Sequence, residues 1–95
     1  MTRLQPGQFD RIAKALADPR RFEMLSTIAT KDELPCRTLV DRFPVAQATV
    51  SHHLKELLVA GLLDERQEGQ CKFFRVRREI LTAYFTELRS RLGDD

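Results

Sequence analysis

The side chains best suited to nucleophilic or metal chemistry are scarce in this chain of 95 residues, which has two cysteines and two histidines. Cys36 and Cys71 are far apart and fit no metal-ligand spacing. His52 and His53 are adjacent in a predicted helix, where DNA contact or packing is a better interpretation than metal ligation. The sequence has no glycine-rich phosphate loop, no His-Glu-x-x-His element and no pair of carboxylates in apolar surroundings. We therefore predict no enzyme activity, no catalytic residue, no metal site and no cofactor.

Binding chemistry is more evident in the stretch 46–60, which reads AQATVSHHLKELLVA. Its apolar positions recur at helical spacing and so form one stripe that faces a core. They are Val50, Leu54, Leu57 and Leu58. The opposite face carries small or polar side chains, one cation and no acid, namely Ala48, Thr49, Ser51, His52 and Lys55. Such a face suits the edges of base pairs in a major groove. An ordinary amphipathic helix with a solvated face is the alternative, and the flanking sequence favours the first interpretation.

The flanking sequence predicts the elements that position this face. A first helix over 9–17 ends at Asp18-Pro19, and the same pair begins a second helix, with Asp18 as N-cap and Pro19 at the first position. The buried stripe predicted for the second helix is Phe22, Leu25, Ile28 and Ala29. Pro35 begins a short third helix, and a turn over 43–45 leads into the fourth. Three short helices joined by tight turns make a helix-turn-helix.

The spacing of the apolar residues changes after the fourth helix. Gly61 is expected to cap that helix, the segments 62–66 and 71–76 are predicted to be paired strands, and 67–70 is the turn between them. A hairpin directly after a recognition helix is a wing. The predicted fold is therefore mainly α with a small β-hairpin. It is a winged helix-turn-helix of about five helices plus a two-stranded wing, in a single domain over 1–95.

Cations near the polar face are candidate phosphate contacts. Arg20 and Arg21 lie in the first turn of the second helix, where the helix dipole disfavours each cation by about 0.3–1 kcal/mol. Either Asp18 and Glu23 offset this cost within the chain, or a DNA phosphate does. Glu68 at the wing tip weakens the case for phosphate contact there. The predicted DNA-contacting residues are Arg20, Arg37, Gln47, Ala48, Thr49, Ser51, His52, Lys55, Gln70 and Lys72.

The last helix, predicted over 77–92, has a wide apolar stripe at Ile80, Leu81, Tyr84, Phe85, Leu88 and Leu92. This stripe either closes the core of its own chain or packs partly on a second copy. We favour the second, because a symmetric dimer doubles the base contacts and recognises a palindrome. Helices 9–17 and 77–92 would then form the dimer interface, with Phe9, Ile12, Leu16, Leu81, Tyr84, Phe85 and Leu88 as its residues.

Whole-chain properties set further bounds. A net charge of +2 is too small to identify a nucleic-acid binder by itself. No apolar run approaches the ~20 residues of a membrane span, and the N-terminus lacks the apolar region of a signal peptide. Two distant cysteines fit a reducing compartment. We therefore expect a cytoplasmic protein without membrane contact.

The sequence also carries a family resemblance. The segments KALADPRRFEMLSTI and VAQATVSHHLKELLVAGLLDERQEGQCKFFRV resemble the arsenic-repressor (ArsR/SmtB) family of bacterial winged-helix regulators, from about Phe9 to Val76. The runs TVSHHLK and AGL are its most specific part, since they correspond to the recognition helix and the entry to the wing. The resemblance implies a homodimer, paired through its terminal helices, that binds double-stranded DNA and represses transcription until an inducer binds.

Two departures from the family pattern bear on function. Ala46-Gln47 stands where the family usually begins its recognition helix with Ser-Gln, so an N-cap oxygen is lost at a cost of about 1 kcal/mol. Metal-sensing members carry a Cys-Val-Cys type element, and here Pro35 and Arg37 occupy its two cysteine positions. A second family site uses Asp and His on the terminal helix, and 77–92 contains neither. Both familiar metal sites are therefore missing, and the inducer is unknown.

Two alternatives remain open. The first is a repressor that senses redox state through Cys36 and Cys71. Arg37 and a nearby helix N-terminus would lower the pKa of the Cys36 thiol, although an inert, partly buried thiol is the simpler interpretation. The second is a winged helix that binds proteins, which usually exposes an apolar patch. Val59 is the only large apolar residue predicted on the outer face of the fourth helix, which favours DNA.

Overall fold

In the computed structural model, which describes residues 2–94, five helices and three strands follow one another along the chain. Met1 and Asp95, the two ends of the predicted domain, lie outside that range. The elements are α1 (Gln8–Ala17), α2 (Pro19–Ile28), β1 (Leu34–Pro35), α3 (Cys36–Arg42), α4 (Gln47–Val59), β2 (Leu63–Glu68), β3 (Cys71–Val76) and α5 (Arg78–Leu92). This order confirms the predicted winged helix-turn-helix.

Local signals in the sequence determine where the helices begin and end. The Asp18 side chain accepts a hydrogen bond from the backbone N–H of Arg21 at 3.0 Å and so caps α2 as predicted. Gly61 follows α4 with a φ of 83°, which favours glycine. The backbone N–H of Leu62 then donates to the carbonyl of Leu57 at 3.0 Å, which completes a Schellman motif. Ala46 occupies the N-cap position of α4.

The sheet differs from the predicted two-stranded wing by one strand. Its order is β1-β3-β2, with all neighbours antiparallel. In β1, Leu34 pairs with Phe74 and Pro35 with Phe73. A strand of two residues is too short to show alternation in the sequence, and its proline is tolerated because β1 lies at a sheet edge. β2 also extends to Glu68, two residues beyond the predicted strand.

The core lies between the helices and the inner face of the sheet. Its fully buried side chains are Ile12, Met24, Ile28, Leu39, Val50, Leu57 and Leu62. The predicted stripe on α2 is wrong at Phe22, which is 52% exposed, whereas Met24 is buried. The helix turns so that positions 24, 25, 27 and 28 face inward, and Phe22 lies on the opposite side. No helix within residues 2–94 has both the length and the apolar character needed to cross a membrane.

Candidate DNA-binding surface

The predicted polar face of α4 lies on the surface of the protein. Its exposed residues are Gln47, Ala48, Thr49, Ser51, His52 and Lys55. Val50, Leu54 and Leu57, on the opposite side, are almost fully buried. The face continues to Val59, a half-exposed apolar side chain at the end of the helix. The helical period therefore separates the residues that hold α4 in place from those free to meet a ligand.

The two neighbouring histidines of α4 have different surroundings. His52 is exposed, whereas His53 is only 8% exposed. The Nε atom of Arg21 donates a hydrogen bond to His53 Nδ1 at 3.3 Å, and Nη1 of Arg21 donates to the Ala15 carbonyl at 3.4 Å. This contact joins the start of α2 to the middle of α4. His53 thus helps to hold α4 in place, as its spacing from Val50 could have indicated.

The same surroundings shift the pKa of His53. Burial lowers this pKa, because it disfavours the charged imidazole, and the nearby Arg21 acts in the same direction. Asp18 acts in the opposite direction and is outweighed. A neutral ring is consistent with Nδ1 accepting a hydrogen bond from Arg21. The pKa of Asp18 is itself lowered, chiefly by the hydrogen bond from the backbone N–H of Arg21.

The cations at the start of α2 have partners within the chain. Arg20 lies 3.8 Å from Glu23 in a partly exposed ion pair, and its guanidinium is 5.9 Å from the centre of the Phe43 ring. Arg21 is held by Ala15 and His53. These contacts account for the two cations without DNA. They also leave the Arg20 side chain 39% exposed, near Phe43 in the turn before α4.

A groove of about 660 Å³ lies on the other side of α4, between α3 and the wing. Five of the predicted DNA-contacting residues line it, and they come from α3, α4, β3 and the turn before β3. They are Arg37, Gln47, Ser51, Gln70 and Lys72. Lys72 Nζ is 3.7 Å from a carboxylate oxygen of Glu65, which neutralises part of its charge. The fold thus brings together polar residues that are up to 35 positions apart in the sequence.

Both cysteines also line this groove. Cys36 is half-buried, Cys71 is exposed, and both are free thiols. Burial raises the pKa of Cys36, which agrees with the interpretation of an inert, partly buried thiol and not with the alternative of a pKa lowered by Arg37. Lys72 opposes the effect of burial without overcoming it. Within residues 2–94, no three side chains of His, Cys, Asp or Glu are grouped so that they could hold a metal ion.

Arg66 anchors the wing to the segment before β1, a role that sequence reasoning missed. Its guanidinium donates to both carboxylate oxygens of Glu33, at 3.0 and 2.7 Å, and to Glu68 at 2.7 Å. It also lies 4.5 Å from the centre of the Phe73 ring. Hydrogen bonding from Arg66 lowers the pKa of Glu33. These contacts fix β2 relative to the rest of the chain, and long-range pairs of this kind leave no local pattern.

The terminal helices pack on each other within one chain. The Phe9 and Tyr84 rings stack with their centres 5.0 Å apart, and the Arg91 guanidinium lies 3.8 Å from the centre of the Phe9 ring. Ile12 is completely buried and Tyr84 nearly so. The assignment of Ile12 and Tyr84 to a dimer surface is therefore corrected, since these two side chains complete the chain's own core. An apolar strip remains on α5, in which Phe85 and Leu92 are exposed and Leu81 and Leu88 are half-buried.

Known proteins resemble this chain in both sequence and structure. A family model described as a helix-turn-helix domain matches residues 16–66. An arsenical resistance operon repressor of Staphylococcus xylosus is 33% identical over 70 residues, which is 74% of this chain and 66% of that protein. An arsenic resistance transcriptional regulator of Pseudomonas putida is 35% identical over 69 residues, or 73% of this chain and 54% of that protein. The matches thus span between about half and two thirds of these relatives.

A solved structure shows the same architecture. It is the homodimeric winged helix-turn-helix DNA-binding domain of a possible ArsR-family transcriptional regulator from Mycobacterium bovis. The TM-score is 0.72 at 26% identity, over 92% of this chain and 80% of that one. The matched family model, the arsenic-repressor relatives and the shared fold lead to one conclusion. The chain belongs to the ArsR family of winged helix-turn-helix, DNA-binding transcriptional regulators.

Proposed function

We propose that this protein is a homodimeric repressor that binds a palindromic operator through α4 and is released by a signal other than the usual metals of its family. The observation that carries this proposal is the exposed polar face of α4, held in place by buried Val50, Leu54 and Leu57. Serine, histidine and lysine side chains on such a face can hydrogen-bond to base edges. The methyl groups of Ala48 and Thr49 are suited to apolar contact with a thymine methyl group.

Residues on both sides of α4 support the same proposal. Arg37, Gln70 and Lys72 line the groove next to the start of α4, and Gln47 lies in its first turn. Arg20 is near the surface on the opposite side. Contacts from these residues to phosphates would fix the position of α4 without reading sequence.

The exposed strip on α5 supports the homodimer. Phe85 and Leu92 are 52% and 73% exposed. Each lies one helical turn after a half-buried leucine, Leu81 and Leu88 respectively. Phe9 and Leu16 of α1 are also half-buried and adjoin the core. The relative from M. bovis is described as homodimeric. A second copy of this chain packed on the strip would cover these apolar surfaces and place two α4 helices on one DNA duplex.

The residues at the family's metal positions support a releasing signal other than a metal. Pro35 and Arg37 stand at the family's two cysteine positions, and soft metals need several thiolate or imidazole ligands. Cys36 and Cys71 line one groove, but burial raises the pKa of Cys36 and makes its thiolate less available. We therefore infer a signal that is neither a soft metal nor an oxidant of these thiols.

Selection of bound fragments from a random pool of duplex DNA tests the proposal. We expect enrichment of one palindromic sequence, because a symmetric dimer presents two equal reading helices. Affinity for the selected site should fall steeply as salt rises, since phosphate contacts release counterions. Enrichment of a site without two-fold symmetry would contradict the dimer, and no enrichment at all would favour a protein-binding role for the winged helix.

A further inference from the structure

A recognition helix in a major groove has a phosphate backbone on each side, because the groove is only ~12 Å wide. On one side of α4 the structure offers Arg37 and Lys72, which line the groove beside the wing. On the other side the predicted set has Arg20 alone. That second side is bounded by α1, whose cations are absent from the predicted DNA contacts.

A second groove, of about 400 Å³, runs between α1 and the C-terminal half of α4. Glu56 and Val59 line it from α4, and Arg11 and Lys14 line it from α1. Val59 continues the exposed face that carries His52 and Lys55, at the four-residue spacing of one helical turn after Lys55. Arg11 and Lys14 therefore border the recognition face directly.

The packing of α1 holds these two cations in place. Ile12 and Ala15, on the inner side of α1, are buried, so Arg11 and Lys14 must point outward. At the start of α1, Gln8 Nε2 donates a hydrogen bond to the carbonyl of Ala60, just beyond α4, at 3.0 Å. The start of α1 is thus fixed to the end of the recognition helix.

The charges around this groove leave Arg11 and Lys14 available. Asp10, the acid next to them on α1, lies 3.9 Å from Arg91 of α5. Arg21 is committed to His53 and Ala15. Within residues 2–94, neither Arg11 nor Lys14 forms an ion pair. The groove is lined by two acids, Asp10 and Glu56, and by three cations, Arg11, Lys14 and Arg21, so it carries a net positive charge.

We propose that Arg11 and Lys14 form a phosphate-binding site for the DNA strand that passes α4 on the α1 side. This inference rests on the proposed function, since it needs α4 to lie in a major groove. The site takes the sugar-phosphate backbone of duplex DNA and no particular base. Together with Arg20 it balances Arg37 and Lys72, so that α4 is held from both sides.

The test compares two double variants that each remove two positive charges. Arg11→Gln with Lys14→Gln alters the proposed site and keeps good helix formers. Lys31→Gln with Arg89→Gln is the matched control, because both residues are exposed and lie outside the grooves beside α4. Affinity for the selected operator and for a scrambled duplex is measured by fluorescence anisotropy over a range of salt concentrations.

We expect the slope of log affinity against log salt to become shallower by about 3.6 for the site variant, at about 0.9 for each of the four phosphate contacts that the two subunits of the dimer lose, with the same loss on both duplexes. The control should keep the wild-type slope. Equal slopes for the site variant and the wild type would overturn the inference, and so would a change as large in the control. A loss confined to the operator would assign the two cations to bases instead of phosphates. If the wild-type protein fails to bind DNA, the proposed function itself falls.

Discussion

Two substitutions in α4 should separate the recognition of DNA from the stability of the fold. Leu54 is 2% exposed and belongs to the core, so Leu54→Ala removes a buried side chain and leaves a cavity. His52 is exposed on the opposite face of the same helix. The two positions are only two residues apart, and their different burial predicts opposite consequences.

The expected magnitudes are large enough to distinguish the two roles. Leu54→Ala should lower the free energy of unfolding by about 2–5 kcal/mol. A chain of 95 residues has a stability of roughly 5–14 kcal/mol, so this is a considerable fraction. Tm should fall by on the order of 10 °C or more, since each kcal/mol corresponds to roughly 4–8 °C in a domain of this size. His52→Ala should change stability by less than about 0.5 kcal/mol.

For DNA binding, His52→Ala should have a larger effect than Leu54→Ala. His52→Ala should weaken binding to the selected operator by about 1–3 kcal/mol, or roughly 5- to 150-fold. Binding is measured at fixed salt and at a temperature where Leu54→Ala is still folded, as verified by circular dichroism. Thr82→Ala, an exposed polar position on α5, serves as the control. Unchanged operator affinity in His52→Ala would refute our placement of the reading face, and an unchanged Tm in Leu54→Ala would refute the assignment of its core.

The remaining predictions concern the dimer and the buried histidine. Phe85→Lys should give monomers in sedimentation experiments, whereas Phe22→Lys should leave the dimer intact. Both rings are 52% exposed, but only Phe85 lies on the α5 strip. Dimers in both variants would contradict the proposed interface. The folded pKa of His53 is below its unfolded value of 6.5, so unfolded chains bind the extra proton first and the free energy of unfolding falls as pH drops below about 6.5. Between about pH 7 and 5.5, the free energy of unfolding measured in urea should therefore fall more steeply in the wild type than in His53→Gln. Identical pH dependences of the two proteins would count against a buried, neutral His53.

Much of the fold could be predicted because its signals are local. Asp18-Pro19 specifies the junction of α1 and α2, and Gly61 ends α4 with the expected left-handed conformation. The period of apolar residues in α4 also predicts which side is buried. Each of these features depends on side chains within a few positions of one another, so no knowledge of the tertiary structure is needed.

Features that depend on distant partners could not be predicted in the same way. β1 exists because Leu34 and Pro35 meet β3 some forty positions later, and two residues carry no readable period. Phe22 is a large apolar residue of the kind that usually lies in a core. It is nevertheless exposed, because Met24 occupies the buried position on α2. In both cases the tertiary arrangement decides what the local sequence leaves open.

The candidate DNA-binding surface also combines features that local sequence predicts with features that depend on distant partners. The residues on α4 follow from its helical period, because the side that does not face the core must face outward. Nothing in the sequence of α1 distinguishes Arg11 and Lys14 from an ordinary solvated face. They gain a role only because the buried side of α1 packs on the core and Gln8 bonds to Ala60, which places both cations beside the end of α4. Local pattern thus specifies the reading helix, and tertiary packing specifies the charges that surround it.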